Sequence, residues 1–215
     1  MKIRTLILIL IAGAAFTSCS VWGVRGNGRV REENRNITEF TRLEAGGAYS
    51  IKVYVGKTAS LKISAEENLL PLIKTTVRGN TLSIETKKSL SPRKEIRIIL
   101  TTPNLTSLEV SGANNVEAYG INCDEFDAEL SGAGSVDLEG KAERFRAELS
   151  GAGNINAKNL KAKDVSVSVS GAASADVYAK ESLDASVSGV GSIDYYGDPM
   201  KTKTNVSGVG SISRK

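Results

Sequence analysis

The chain has 215 residues, of which 28 are Lys or Arg, 24 are Asp or Glu and none is histidine. The absence of histidine excludes Ser-His-Asp triads, Cys-His dyads and histidine-containing metal sites. The near balance of charges gives no reason to expect a nucleic-acid partner. The length suits one elongated domain with a real core.

The first 18 residues predict an export signal. Lys2 and Arg4 supply positive charge, and an apolar run from Leu6 to Phe16 follows that is too short to span a bilayer. Cys19 comes directly after small residues, as in a lipoprotein cleavage box. We therefore expect removal of residues 1–18 and acylation of Cys19. A plain secretory signal with an incidental cysteine is the alternative.

The residues after the signal divide into a tether and one domain. Residues 19–30 are glycine-rich and predict a flexible tether. Residues 31–215 are expected to form a single domain, with an irregular β part over 31–105 and regular coils over 106–215. The irregular part predicts strands and, before the third of them, one helical turn within Glu66–Leu72; the strands are Tyr49–Val55, Ser60–Ser64, Ile73–Val77, Thr81–Thr86 and Glu95–Thr101.

The second half of the chain is an internal repeat. The pair Ser-Gly recurs every 18 to 20 residues, at Ser111, Ser131, Ser150, Ser170, Ser188 and Ser207. Superposing the repeats on the serine gives apolar columns, one of which holds Leu130, Leu149, Val169, Val187 and Val206. The residues before each serine alternate apolar and polar, which indicates strands with one buried face.

These columns predict an all-β, right-handed parallel β-helix, or β-solenoid, with coils of about 19 residues. A left-handed helix of hexapeptides would have coils of similar length, but no six-residue recurrence of aliphatic residues is present. Each Ser-Gly-Ala-Gly step predicts a tight corner in which glycine adopts positive φ. The last coil is incomplete, so we expect either that the irregular half covers it or that a homodimer joins there.

Several features together resemble the putative auto-transporter adhesin, head GIN domain family. They are the lipoprotein-type signal, the sequence Gly-Asn-Thr-Leu-Ser-Ile at residues 79–84, and the Ser-Gly-Ala-Gly turns, including Gly153-Asn-Ile-Asn156. The family is typical of Bacteroidetes. The resemblance implies a β-helix related in shape to pectin lyases, no known catalytic residues and a role in adhesion.

The sharpest site candidate is the column six residues after each repeat serine. Stacked carboxylates about 4.8 Å apart repel each other, and a hard cation such as Ca²⁺ would relieve the repulsion. The alternative is a solubilising ladder with no cofactor. The column contains Glu117, Asp137, Asn156, Asp176, Asp194 and Ser213.

Tyrosines stand two residues beyond this column, at Tyr119, Tyr178 and Tyr196, with Glu139 and Lys158 between them. Aromatic rings beside carboxylates suit sugar binding, because the rings stack on pyranose faces and the acids bind hydroxyls. Tyrosines are also good strand formers, which is the bland explanation. Cys123 aligns with two alanines and is interpreted as a small core residue.

The sequence favours a non-enzymatic cell-envelope lipoprotein over an enzyme. All complete coils have similar lengths, so no inserted loop builds a catalytic cleft in the regular half. The first hypothesis is an adhesin or surface-presenting scaffold for glycan or protein partners, anchored to the membrane, most simply the outer membrane, through its lipid. The alternatives are a β-helix lyase or hydrolase and a periplasmic structural or stress lipoprotein. The residues after Cys19 lack an acidic export cluster, so the sequence does not decide between the outer surface and the periplasmic face of the membrane.

Overall fold

The computed structural model describes residues 23–215, and the proposed signal and Cys19 lie outside this range. The described chain is all β apart from one 3₁₀ turn at Leu70–Leu72. The strands are β1 Val24–Arg25, β2 Val30–Arg35, β3 Arg42–Gly47, β4 Ser50–Val55, β5 Ser60–Glu66, β6 Ile73–Arg78, β7 Thr81–Thr86, β8 Leu90–Ser91, β9 Arg97–Thr102, β10 Ser107–Gly112, β11 Asn115–Leu130, β12 Ala133–Leu149, β13 Ala152–Val169, β14 Ser174–Val187, β15 Val190–Tyr196, β16 Lys201–Val206 and β17 Val209–Arg214.

The regular half is a solenoid with three faces. Face A holds the strands that lead into each Ser-Gly corner, face B holds those that follow it, and face C lies between face B and the next face A. Strand β13 runs through all three, with residues 154–157 on face B, 160–162 on face C and 164–169 on face A. The neighbouring coils pair in parallel along each face, which confirms the predicted β-solenoid.

The apolar columns deduced from the repeat are real neighbours in the core. Leu149 pairs with Leu130 on one side and Val169 on the other, and all three side chains are buried. Val167 and Val165 fill the same face at the alternate positions that the period-two pattern predicts. One continuous hydrophobic core follows, running from Phe40 to Ile193.

The irregular half contributes two coil layers whose order in the stack differs from their order in the chain. Strands β3 and β4 form one layer, and β7 and β9 form another. On face A, β3 lies between β7 and β10, and on face B, β4 lies between β9 and β11. The earliest layer in the chain is therefore sandwiched between two later ones. The stack does not follow chain order at this end.

Antiparallel strands close the solenoid beyond the β7–β9 layer. Strand β5 pairs with β9 and β2 pairs with β5 on face B, while β6 and β7 form a hairpin on face A. The hairpin turns at Gly79, whose φ of 60° lies in the left-handed region that favours glycine. We call β2, β5 and β6 the cap.

The segment expected to be a flexible tether is docked against this closed end. Strand β1 pairs with β8, and Asn68 Nδ2 donates a hydrogen bond of 2.8 Å to the backbone carbonyl of Arg25. The buried Glu66 carboxylate accepts hydrogen bonds from the backbone N–H groups of Gly28 at 2.5 Å and Arg93 at 2.8 Å. The chain is therefore fixed to the fold from about residue 24 onward.

The corner glycines are required for a different reason from the one expected. Among the glycines of the Ser-Gly corners in residues 106–215, only Gly112, at 81°, and Gly134, at 157°, have positive φ. At Gly151 a Cβ would overlap the carbonyl oxygen of Gly132 in the coil below, and at Gly171 it would overlap that of Gly151. The coils thus approach backbone to backbone at each corner, and any side chain would force them apart.

The C-terminal end is open within the described part of the chain. Strands β16 and β17 each pair on one side only, with β14 and β15. The expectation that the irregular half covers this end is wrong, because that half stacks at the opposite end. Thr202 and Thr204 of the last coil pair with the buried Leu183 and Ala185 and so occupy core-facing positions. Both threonines are nevertheless exposed, because no further coil covers them in the described chain.

Candidate functional site

The acidic column of the repeat is a physical column on face B. Glu117 pairs with Asp137, and the register continues without a break through Asn156, Asp176 and Asp194. These side chains are half-buried. The column also extends in the other direction, where Lys52 of β4 stands beside Glu117. The Ser-Gly pairs alone do not reveal this lysine, because Gly46 stands in place of the serine in its coil.

Glu117 is the most constrained acid of the column. Its Oε2 accepts hydrogen bonds from the Tyr119 hydroxyl and from Lys52 Nζ, the latter at 2.9 Å. The hydrogen bonds from Tyr119 and Lys52 hold the pKa of the Glu117 carboxyl below its usual value. Glu117 is therefore an ionised acceptor fixed in one orientation.

The other members of the column have unequal environments. Asn156 Nδ2 donates to Asp137 Oδ1 at 2.8 Å, and Asn156 Oδ1 is buried without a hydrogen-bond partner among the described residues. Lys215 forms a salt bridge with Asp194 at 3.2 Å. Burial, followed by the neighbouring Asp194, raises the pKa of Asp176. The repulsion expected along the ladder thus adds to the effect of burial at Asp176.

The tyrosines do not form one continuous row. Tyr119 stacks on Tyr54 of the irregular half, with ring centroids 5.5 Å apart. Tyr178 pairs with Tyr196 on one side and with Lys161 on the other. The residues expected between these two pairs are displaced, because Glu139 faces Asn159 and Lys158 lies in a bulge. Differences in coil length are absorbed by bulges in the run from face B into face C.

Four of the sequence-derived candidates meet in one pocket of about 190 Å³, which we call the acidic pocket. Asp176, Asp194, Tyr178 and Tyr196 lie outside it. The pocket also includes two residues that the bulge brings in. Its lining is Glu117, Tyr119, Asp137, Leu138, Glu139, Asn156 and Asn159.

The pocket is rich in carboxylates, but residues 23–215 contain no group of three or more His, Cys, Asp or Glu placed to hold a metal ion. The Ca²⁺ expectation stays a prediction. Cys123 is half-buried in register with Ala142, and burial raises the pKa of its thiol. A raised pKa keeps the thiol protonated and unreactive, in agreement with a packing role.

Face A carries a larger groove, of about 530 Å³, that the sequence interpretation did not single out. Its column of outward residues stands four positions before each repeat serine, so the same superposition could have found it. Asp184 forms a salt bridge with Lys203 at 2.9 Å, and Arg146 pairs with Glu148 at 2.5 Å. Because acidic and basic side chains pair with each other, this surface carries charges of both signs and neither sign predominates.

Comparisons with known proteins give the same picture of the fold. The chain is 30% identical to a structure described as a putative adhesin from Bacteroides fragilis, covering 90% of this chain and 100% of that one with a TM-score of 0.75. A putative lipid binding protein from Parabacteroides distasonis is 22% identical, with 90% and 100% covered and a TM-score of 0.52. A putative adhesin from Parabacteroides merdae is 20% identical, with 90% and 99% covered and a TM-score of 0.55.

Comparison with curated proteins finds no match. In residues 23–215 no helix has the length and apolarity needed to cross a membrane. Residues 39–199 match the family described as putative auto-transporter adhesin, head GIN domain. The match covers most of the described solenoid, including every residue of the acidic pocket. The chain therefore belongs to the putative auto-transporter adhesin, head GIN domain family.

Proposed function

We propose that this protein is a non-enzymatic, lipid-anchored envelope adhesin that binds a neutral glycan in the acidic pocket. The observation that carries the proposal is the convergence of Glu117, Asp137, Asn156 and the Tyr119 ring in one concave site. Adhesin family membership agrees with a cell-surface or envelope location.

The chemistry of the pocket suits sugar hydroxyls. Carboxylate and amide oxygens accept hydrogen bonds, and hydroxyl groups on a pyranose ring donate them. Glu117 is held in place by Lys52 and Tyr119, so less side-chain entropy is lost on binding than at a free carboxylate. Asn156 Nδ2 donates to Asp137 Oδ1, which orients this second carboxylate in the same way.

The same geometry supports binding over hydrolysis. A glycosidase needs one carboxylic acid with a raised pKa to protonate the leaving group, beside an ionised carboxylate. The pKa of Glu117 is lowered by its partners. Asp176, which does have a raised pKa, stands beyond Asn156 and outside the pocket.

The lipid anchor is proposed at Cys19, which lies outside the described residues. The chain from Val24 onward is docked at the closed end of the solenoid. An anchor just before this segment would hold the closed end near the membrane and point the open end away from it. Cys19→Ala is expected to release the protein from the membrane fraction, and a variant that still partitions into detergent would contradict lipid anchoring.

Glycan binding is tested with a glycan array probed with the purified protein, with and without Ca²⁺. Tyr119→Ala and Asp137→Ala are expected to lower the signal of neutral glycans at least tenfold. The matched controls, Tyr196→Ala and Asp194→Ala, change the same residue types outside the pocket. Equal loss in all four variants, or no neutral glycan bound by the unmodified protein, would contradict the proposal.

Two further measurements address the alternative functions. New reducing ends or unsaturated products after incubation with pectic and host glycans would identify a carbohydrate-active enzyme. Protease shaving of whole cells is expected to remove the protein if it is displayed outside. Full protection in intact cells would favour the periplasmic structural or stress role.

A further inference from the structure

Face C differs in charge from the two faces described above. Lys141 pairs with Lys161, and Lys161 pairs with Tyr178, so two lysines occupy neighbouring coils at the same position. Lys163 and Lys180 line the same groove, which has a volume of about 380 Å³. The four lysines come from three successive coils, with Lys161 and Lys163 in the same coil, so stacking brings them into one groove.

Four lysines line this groove against two carboxylates, Asp124 and Glu143, and most of the lysines are not paired with a carboxylate of the described chain. Lys163 forms a salt bridge with Glu143. Lys141, Lys161 and Lys180 form no salt bridge with any carboxylate of residues 23–215. Like charges directly opposite each other on adjacent strands are destabilising. A bound anion between Lys141 and Lys161 would reverse the sign of this interaction.

The central lysine is held in position. Lys161 Nζ donates to the backbone carbonyl of Lys158 at 3.0 Å and lies 3.7 Å from the centroid of the Tyr178 ring. A cation–π contact of this kind fixes an ammonium group while leaving part of it open to a ligand. The bulge that displaces Lys158 from the tyrosine row is what brings its carbonyl to Lys161.

The repeat of the solenoid favours a polymeric ligand. The strands of adjacent coils are about 4.8 Å apart, so equivalent side chains recur at that spacing along the axis. The rise per sugar in an extended polysaccharide is similar to this spacing. A polyuronate chain lying along face C would place about one carboxylate beside each coil, next to Lys141 and then Lys161.

We infer that the face C groove binds an acidic polysaccharide, with Lys141, Lys161 and Lys180 contacting its carboxylate or sulfate groups. This goes beyond the proposed function, because the acidic pocket lies on a different face and takes a neutral ligand. Loss of one site leaves the other intact. The two proposals therefore fail separately.

The test is titration of the purified protein with polygalacturonate, using neutral dextran as the uncharged comparison. Lys141→Ala combined with Lys161→Ala is expected to weaken binding at least tenfold. Lys141→Arg combined with Lys161→Arg keeps the charge and is expected to stay within about threefold of the unmodified protein. Binding should weaken steeply as salt rises from about 0.05 to 0.5 M, because the charges are exposed.

The matched control is Lys74→Ala combined with Lys88→Ala, which removes two exposed lysines near the closed end. This pair is expected to leave binding unchanged. Failure of polygalacturonate to bind, equal binding of dextran, or equal weakening by both alanine pairs would overturn the inference. Binding to phosphatidylglycerol vesicles without binding to polygalacturonate would also overturn it and would point to a membrane surface instead.

Discussion

The two halves of the molecule use the same coil in different ways. Residues 107–215 stack in chain order, and each coil meets the next through nearly identical corners and columns. Residues 24–102 place their earliest layer between two later ones and close the end with antiparallel strands. The first arrangement extends a surface, whereas the second terminates it.

The difference shows where stability and specificity reside. In the regular half each coil buries the same apolar columns, so interface energy is roughly additive from coil to coil. The irregular half breaks the repeat, and it supplies Lys52 and Tyr54, the partners that orient Glu117 and Tyr119. The acidic pocket therefore lies beside the junction of the two halves, where side chains of the irregular half contact the first regular coil.

The largest effect is expected in the regular half from Leu149→Asp. Leu149 is 1% exposed between Leu130 and Val169, so the substitution buries an unpaired carboxylate. We expect a loss of about 3 kcal/mol or more in the free energy of unfolding, measured by chemical denaturation. The exposed neighbour substitution Glu148→Gln should cost under about 1 kcal/mol. Similar losses in both variants would refute the register.

The corner columns are tested by Gly151→Ala. The new methyl group would overlap the carbonyl oxygen of Gly132, and the coils can separate only by losing hydrogen bonds. We expect a loss of about 2–3 kcal/mol, checked in the same denaturation experiment. Ser150→Ala, one residue away and exposed, should change stability by under about 0.5 kcal/mol. A neutral Gly151→Ala would mean that the corners are not packed backbone to backbone.

The closed end is tested through the pH dependence of Glu66. Burial opposes ionisation of this carboxyl, but hydrogen bonds from the backbone of Arg93, Gly28 and Lys94 outweigh it and lower the pKa. A lowered folded-state pKa stabilises the protein above the unfolded value of about 4.3, and this stability is lost as pH falls through the folded value.

Glu66→Gln removes the charge that these backbone N–H groups bind, so it should lower the melting temperature at pH 7. We expect a smaller decrease than for Gly151→Ala, because glutamine keeps the size of the side chain and one acceptor oxygen. The difference from the unmodified protein should shrink as the pH falls below about 4. Glu67→Gln is the control, since Glu67 makes a long salt bridge of 3.6 Å with the exposed Arg29 and accepts a hydrogen bond of 3.0 Å from Asn27 Nδ2 that glutamine can also accept. A constant difference from pH 7 to about pH 3 would show that ionisation of Glu66 does not contribute.

The smallest effect on stability is expected at the open end. Thr202→Val combined with Thr204→Val should change the free energy of unfolding by under about 0.5 kcal/mol, because both positions are exposed. The pair should nevertheless increase self-association seen by light scattering, since it makes the open end more apolar. The homodimer stays a prediction of its own. A dimer in the unmodified protein that Ile212→Lys dissolves would support it. A monomer insensitive to both changes would contradict the expectation that a more apolar open end self-associates.

Much of the regular half could be predicted because the repeat itself encodes neighbours. Aligning the serines placed Glu117 beside Asp137 and Leu149 beside Leu130, and both pairs are adjacent in the fold. The position of β3 was hidden from an alignment on serine, because Gly46 stands where the repeat has its serine. Residues 43–47 otherwise match their neighbours 108–112 of β10, whereas the other neighbour, Thr81–Thr86, contains no Ser-Gly pair. The pairing of Lys161 with Tyr178 was also hidden, because it depends on a bulge that shifts the register by several residues.

The inserted position of β3 and β4 also bears on the order in which the chain can fold. Strand β3 has its two neighbours about 40 and 65 residues later in the chain, so it cannot be completed as the N-terminus emerges. Assembly from the N-terminus must wait for Ser107–Gly112, after which each later coil can add to an existing edge. The first half of such a chain would form a single nucleus, and each later coil would extend it by pairing with the coil before it.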